Sequence, residues 1–122
     1  MEPRILKQDL SKEFFTPERC YIFEASNSRG DEELSIARAR VEPGVTTTIH
    51  YVDGMTERYL ITEGKGLVEV GDIQPTEVSV GDVVIIPPGT RQRIKNTGDK
   101  DLIFYALCTP RFRVECYRSE EP

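Results

Sequence analysis

The residues best suited to chemistry lie in one short stretch, TTTIHYVDGMTERYLITEG (46–64), which contains the only histidine of this 122-residue chain. Asp53 and Gly54 stand between two runs of strand-forming residues, a pattern typical of a two-residue hairpin turn. Such a turn would set His50 directly opposite Glu57, with their Cβ atoms about 5 Å apart. An imidazole beside a carboxylate can transfer protons, share a metal ion, or form a hydrogen bond of structural value alone.

Side-chain alternation along these two strands adds Thr48 and Tyr59 to the face that carries His50 and Glu57. Thr48 and Tyr59 on this face are candidate ligand-binding residues. A tyrosine here could also fill the interior with its hydroxyl group satisfied. The polarity of the two faces does not decide which one is buried.

A second segment, GDVVIIPPGTRQRIKNTG (81–98), follows the same logic. Its last strand carries three cations on one face and Gln92, Ile94 and Asn96 on the other. Because the cations must be solvated, the face with Gln92 is expected to point inward. A buried glutamine needs partners for its donors and acceptors, so Gln92 is either a structural hydrogen-bonding group or part of a polar pocket.

The elements that must position these residues are short strands. Runs rich in Val, Ile, Thr, Tyr and Phe alternate with Gly- and Pro-containing turns, which predicts an all-β sandwich or barrel over residues 1–122 as a single domain. Residues 1–18 are expected to form an N-terminal arm with one helical turn, and 119–122 a solvated tail. In SIARARVEPG, the small residues are expected to face inward and Arg38 and Arg40 outward; if the face is reversed, the two arginines become anion-binding groups for a carboxylate or phosphate.

Composition excludes several classes of function. A formal net charge of −5 argues against nucleic-acid binding, and no apolar run is long enough to span a membrane. The charged N-terminus lacks the apolar core of a signal peptide. Three cysteines without a CxxC pair indicate reduced thiols and a cytoplasmic protein.

Residues 44–64 and 81–96 resemble the two signature motifs of the cupin superfamily, which are small β-barrels of jelly-roll type. The first motif is matched by glycines at 44 and 64 that flank His50, Val52 and Glu57 at the family's spacing. The second motif is matched in spacing by the following positions: Gly81, Pro87, Gly89, Gln92 and Asn96. The resemblance implies a single-domain jelly-roll barrel.

The chain departs from the metal-binding cupin pattern at two of the four usual ligand positions. Val52 and Gln92 stand where the family has histidines, so the resemblance leaves His50, Glu57 and Gln92 as candidate ligands. This set would suit Mn, Fe, Ni or Zn, and binding would be weakened by the neutral amide oxygen. Alternatively, the three residues could grip an organic ligand directly, without a metal.

The resemblance implies a protein that binds a small organic molecule, and it leaves open whether the protein is an enzyme. Dioxygenase, isomerase or cyclase chemistry would place Glu57 as metal ligand or proton shuttle. The alternative is a non-catalytic, metal-free ligand-binding or dimeric interaction protein with a vestigial site. Small cupins commonly pair, so a homodimer is expected.

Overall fold

The computed structural model describes residues 1–121, which form antiparallel strands and two short 3₁₀ turns, Leu10–Lys12 and Val114–Cys116. The strands are β1 (Phe14–Phe15), β2 (Tyr21–Ser28), β3 (Asp31–Val41), β4 (His50–Val52), β5 (Thr56–Glu63), β6 (Lys65–Val70), β7 (Thr76–Ser79), β8 (Val83–Ile86), β9 (Gln92–Asn96), β10 (Leu102–Thr109) and β11 (Tyr117–Ser119). Within the described residues, no helix is long and apolar enough to cross a bilayer.

The strands form two sheets that pack face to face. One has six strands in the order β1-β2-β3-β10-β5-β8, and the other has five in the order β11-β4-β9-β6-β7. Every pairing is antiparallel, and several join strands far apart in the chain, such as β3 with β10. This is the predicted all-β jelly-roll barrel, which is therefore confirmed.

The core lies between the sheets and follows from side-chain alternation. Ile61 of β5 and Phe104 of β10 pack against Val68 of β6 and Ile94 of β9, all nearly inaccessible to solvent. On β9, Gln92, Ile94 and Asn96 are buried, whereas the cations between them lie at or near the surface. The predicted orientation of this strand is confirmed.

The predicted hairpin at Asp53-Gly54 is wrong. Strand β4 pairs with β9 and β11, whereas β5 pairs with β8 and β10, so the turn joins two different sheets. The carbonyl oxygen of Val52 accepts a hydrogen bond from the backbone N–H of Gly89. Val52 and Met55 bury their side chains in a small cluster with Cys108. This cluster holds the turn in place as the chain passes from one sheet to the other.

The N-terminal arm covers the outer face of the six-stranded sheet. Phe14 and Phe15, which lie within the predicted arm 1–18, form strand β1 of that sheet, a difference from the prediction. The carboxylate of Glu13 accepts hydrogen bonds from Arg38 and Arg40, and its nearest contact with Arg40 is 2.7 Å. Both arginines therefore lie outside the barrel, as expected from the alternation in β3.

Residues 119–121 are held to the barrel, although Ser119 and Glu120 are exposed to solvent, as expected for this segment. Ser119 is the last residue of β11, and the backbone N–H of Glu120 donates to the Ile49 carbonyl. The Glu121 carboxylate accepts hydrogen bonds from Arg19 at 2.9 Å and from the Ile49 amide at 3.1 Å. These contacts hold the segment against the barrel, and Pro122 lies outside the described residues.

Candidate functional site

His50 begins strand β4 and is buried, with only 3 % of its surface exposed. Its Nδ1 lies 2.7 Å from the carbonyl oxygen of Thr48. Because a carbonyl oxygen only accepts, Nδ1 carries the proton and donates it, and in the neutral ring the lone pair is on Nε2. The ring stacks on Tyr117 with centroids 5.0 Å apart. These contacts fix both the tautomer and the plane of the imidazole.

Gln92 connects the two sheets. It lies opposite His50 in the pairing of β9 with β4, and its side chain crosses to β5. Its Nε2 donates to Oε1 of Glu57 at 2.8 Å, and its Oε1 accepts a hydrogen bond from the hydroxyl of Tyr59. Both polar ends of this buried amide are thus satisfied inside the protein.

Glu57 lies on β5, opposite Cys108 of β10, and is 9 % exposed. Burial raises the pKa of its carboxyl group because the charged form loses hydration, while His50 and the hydrogen bond from Gln92 act in the opposite direction. Burial likewise raises the pKa of Tyr59 well above its ordinary value. Glu57 is therefore a buried carboxyl group whose position is held by the hydrogen bond from Gln92.

Glu18 is a member of the site that sequence reasoning missed. Its Oε1 lies 3.9 Å from Nε2 of His50, just beyond hydrogen-bond distance. Burial raises the pKa of this carboxyl group to about 7, and a hydrogen bond from Tyr117 lowers it in part. The turn that presents Glu18 is held by its own carbonyl, which accepts from the Thr48 amide. No local pattern in TPERC marks this residue, because its neighbours come from distant segments.

A cavity of about 420 Å³ opens between the sheets, and His50, Glu18 and Glu57 line it together with Tyr59. The rest of the wall is largely apolar or aromatic: Cys20, Ile22, Ala37, Ala39, Val52, Phe104, Ala106, Cys108, Phe112 and Tyr117. Nε2 of His50 borders this space and has no hydrogen-bond partner within residues 1–121. The site is thus a largely apolar cavity with polar groups on one wall, which is a common arrangement in ligand pockets.

Two predicted ligand-binding residues lie outside the cavity wall. Thr48 donates its hydroxyl to the carbonyl of Pro17 at 3.3 Å, and Thr47 lines the cavity in its place. Gln92 is 1 % exposed and lies behind Glu57 and Tyr59. Direct ligand contact by Thr48 and Gln92 does not fit this placement, because both side chains are engaged within the protein. Thr48 and Gln92 position His50 and Glu57 instead.

The three candidate metal ligands do not fit a metal ion as they are arranged. The amide group of Gln92 turns its NH₂ toward Glu57. An amide NH₂ group is a hydrogen-bond donor and does not serve as a metal ligand. Its oxygen is turned toward the hydroxyl of Tyr59. Within residues 1–121, no group of three His, Cys, Asp or Glu side chains is placed to hold a metal. His50 and Glu57 remain as two donors.

Comparison with known proteins agrees with the architecture. Residues 37–108 match the model of the cupin domain family. An uncharacterized protein of Methanocaldococcus jannaschii is 36 % identical over 81 residues, which are 66 % of this chain and 64 % of that relative's length.

Two solved structures illustrate the similarity of fold. A conserved protein with a double-stranded β-helix domain from Klebsiella pneumoniae superposes with a TM-score of 0.77 at 16 % identity, over 99 % of this chain and 100 % of that one. A predicted oxalate decarboxylase from Thermotoga maritima gives 0.68 at 25 % identity, over 75 % and 80 %. Since the family model covers more than half of the residues, the chain belongs to the cupin domain family.

Proposed function

We propose that this protein binds a small organic molecule inside the barrel and catalyses proton transfer on it, in a reaction of the isomerase or cyclase type. The observation that carries the proposal is the position of His50. Its Nδ1 is tied to Thr48, and its Nε2 lies 3.9 Å from the Glu18 carboxyl group, on a ring that lines the cavity. A base with one nitrogen fixed and the other facing a ligand space is arranged for general acid–base catalysis.

The two carboxyl groups give the site a proton donor near neutral pH. The pKa of Glu18 is raised to about 7 and that of Glu57 is raised as well, because burial disfavours the charged forms, fully for Glu57 and partly for Glu18, whose side chain is 27 % exposed. Pairs of titratable groups in such settings are common at functional sites. We therefore assign His50 as the base, with Glu18 and Glu57 as groups that exchange protons with it or with the ligand.

Metal coordination by His50, Glu57 and Gln92 is not part of this proposal, because the amide of Gln92 is turned to serve Glu57 and Tyr59. Isomerisation and cyclisation can proceed through side-chain proton transfer alone. One structure similar to this chain is a predicted oxalate decarboxylase. This similarity supports the proposal that a reaction takes place at the cavity.

The test combines binding with exchange of protons. Small organic molecules are screened by thermal shift against the wild type and against Ala106→Phe, which fills the cavity from β10. Tyr105→Phe, which alters a side chain that reaches the N-terminal arm at Gln8, is the control. Molecules that stabilise the wild type and the control but not Ala106→Phe are expected. A screen without such molecules would overturn the proposal.

Molecules that bind are then followed by proton NMR in D₂O. The wild type is expected to exchange a carbon-bound proton of at least one of them for deuterium, and His50→Gln to lose this exchange. Binding without exchange in the wild type would reduce the proposal to a non-catalytic ligand-binding protein.

The homodimer stays a prediction that the following features support. Strand β8 ends the six-stranded sheet, and Val83 and Ile85 on it are 56 % and 64 % exposed. Leu60 of the neighbouring β5 continues this apolar strip. An edge strand with exposed apolar residues needs covering, and a second copy would supply it. Sedimentation velocity measures the state directly.

A further inference from the structure

Most of the ionisable side chains that line the cavity are acidic. Three carboxyl groups line it, from Glu18, Glu24 and Glu57, against the single imidazole of His50. In the part of the chain that the structure describes, no lysine or arginine side chain belongs to its wall. The carboxyl groups that can become anions therefore outnumber the one side chain of the wall that can become a cation. We infer that the natural ligand of this cavity is a small organic amine, bound as its ammonium cation, with an apolar body. This inference rests on the proposed function.

The arginines nearest the barrel are held elsewhere by acceptors of their own. Arg38 and Arg40 reach Glu13 on the outer face. Arg58 donates to the Thr109 hydroxyl and the Thr56 carbonyl. Arg111 pairs with Glu32 at 3.1 Å and also donates to Asn27. None of these guanidinium groups is left to neutralise an acid inside the cavity.

A second polar recess lies beside the cavity and shares Glu24 with it. Arg111 and Arg113 line it, and both contact the same carboxylate, that of Glu32, at 3.1 Å. Glu24, which lines both spaces, adds a further negative charge. Arg29 also lines the recess and has no ion-pair partner within residues 1–121, so the recess carries one unpaired cation, which lies outside the cavity wall.

Aromatic rings form much of the wall. Tyr59 and Phe104 pack with centroids 4.4 Å apart, and Phe112 and Tyr117 line the same space. The face of an aromatic ring carries partial negative charge, so it attracts an ammonium group and gives a carboxylate no such gain. The apolar remainder of the wall suits the body of the ligand.

The energetics separate the ligand classes. A carboxylate ligand would bring like charge against Glu18 and Glu57 whenever these groups are ionised, which is unfavourable. An ammonium would pair with the same carboxylates and offset the cost of their burial. An alcohol could donate a hydrogen bond to Glu57, but it would gain no ionic attraction.

Three probes of one shape test the inference by isothermal titration calorimetry at about pH 8, where the amine carries its charge: benzylamine, benzyl alcohol and benzoate. Benzylamine is expected to bind the wild type about tenfold or more tightly than either of the others. Glu57→Gln and Glu18→Gln are each expected to weaken benzylamine by about tenfold and leave benzyl alcohol nearly unchanged. Glu77→Gln, at an exposed position outside the cavity, is the matched control and should alter neither.

Binding of benzoate or benzyl alcohol as tight as that of benzylamine would overturn the amine inference and leave the cavity's ligand-binding role standing. Equal affinities of the wild type and both cavity variants for benzylamine would also overturn it. Failure of all three probes overturns it as well, and the screen with Ala106→Phe then decides separately whether the proposed function survives.

Discussion

Gln92 reaches from one sheet to the other and donates its amide N–H to Glu57, with 2.8 Å between nitrogen and oxygen. The same side chain accepts from Tyr59. Two residues that line the cavity are therefore held by one residue that does not line it. The orientation of the Glu57 carboxyl group depends on an amide in the core, behind the surface that a ligand would touch.

Replacing that amide by an apolar group of similar size is expected to destabilise the protein. Gln92→Leu leaves the Tyr59 hydroxyl and the Glu57 carboxyl without their partner, which costs about 1–3 kcal/mol of unfolding free energy. Urea denaturation measures it. Gln74→Leu, at an exposed position, is the control and should change stability by less than about 0.5 kcal/mol. Equal losses in both variants would show that the amide bridge contributes nothing specific.

Glu18 is expected to make stability fall as pH rises. Its folded pKa, about 7, lies above the ordinary value of 4.5, so the folded state holds the proton more tightly than the unfolded chain. The stability that this tighter proton binding contributes is fully present below about pH 4.5 and is lost as pH rises through about 7. Glu18→Gln mimics the neutral form, so its stability relative to the wild type should increase by about 1–3 kcal/mol between pH 5 and pH 8.

Urea unfolding at these two pH values measures the difference, with Glu77→Gln as a control for loss of a surface charge. A constant difference between Glu18→Gln and the wild type would mean that the Glu18 carboxyl is as well hydrated in the folded protein as in the unfolded chain.

Glu13 is expected to show the opposite dependence. The hydrogen bond from Arg40 lowers the pKa of its carboxyl group, so its stabilising effect is present above about pH 4.5 and lost as pH falls through the lower folded value. Glu13→Gln should cost about 1–2 kcal/mol at pH 7 and much less near pH 3. Thermal unfolding at both pH values checks this, with Glu2→Gln as control. A loss independent of pH would assign the effect to packing of the arm.

Metal binding is expected to appear when the two missing histidines are restored. The Val52→His/Gln92→His double variant carries imidazoles at all the positions where metal-binding cupins have them, and Val52 already lines the cavity. Inductively coupled plasma mass spectrometry should find near-stoichiometric metal in this variant and far less in the wild type, after both are incubated with Mn, Fe, Ni and Zn. Stoichiometric metal in the wild type that is lost in His50→Ala would show that the Gln92 amide turns its oxygen inward and that the three-ligand set is functional.

How far the sequence predicts this protein depends on which interactions are local. Alternation along β9 correctly placed Gln92 inside, because a strand with three cations on one face has only one orientation that solvates them. The Asp-Gly dipeptide specifies that the chain bends, but it does not specify which sheet the next strand joins. It therefore cannot distinguish a hairpin from a turn between two sheets. The pairing partners of β4 and β5 come from β8 to β11, beyond the reach of any short pattern.

Which residues form the site could also be predicted only in part, because the site joins segments that are far apart in the sequence. His50 and Glu57 were expected together, and they do share one cavity, but through facing sheets and not through adjacent strands. Glu18 was missed because nothing in its own segment distinguishes it from a surface glutamate. Its environment is created by His50 and Tyr117, which are far away in the sequence.

The segment that follows β10 bears on how such a barrel can change its ligand. The region shared with the family ends at Cys108, yet Phe112 and Tyr117 line the cavity, and Tyr117 stacks on His50. Glu18 enters from the other side of the shared region. The region shared with the family thus supplies His50, while the flanking segments supply several of the side chains around it. Divergence of these flanks can change the wall of the cavity without disturbing the barrel that holds His50, so the cavity wall and the fold can evolve as separate modules.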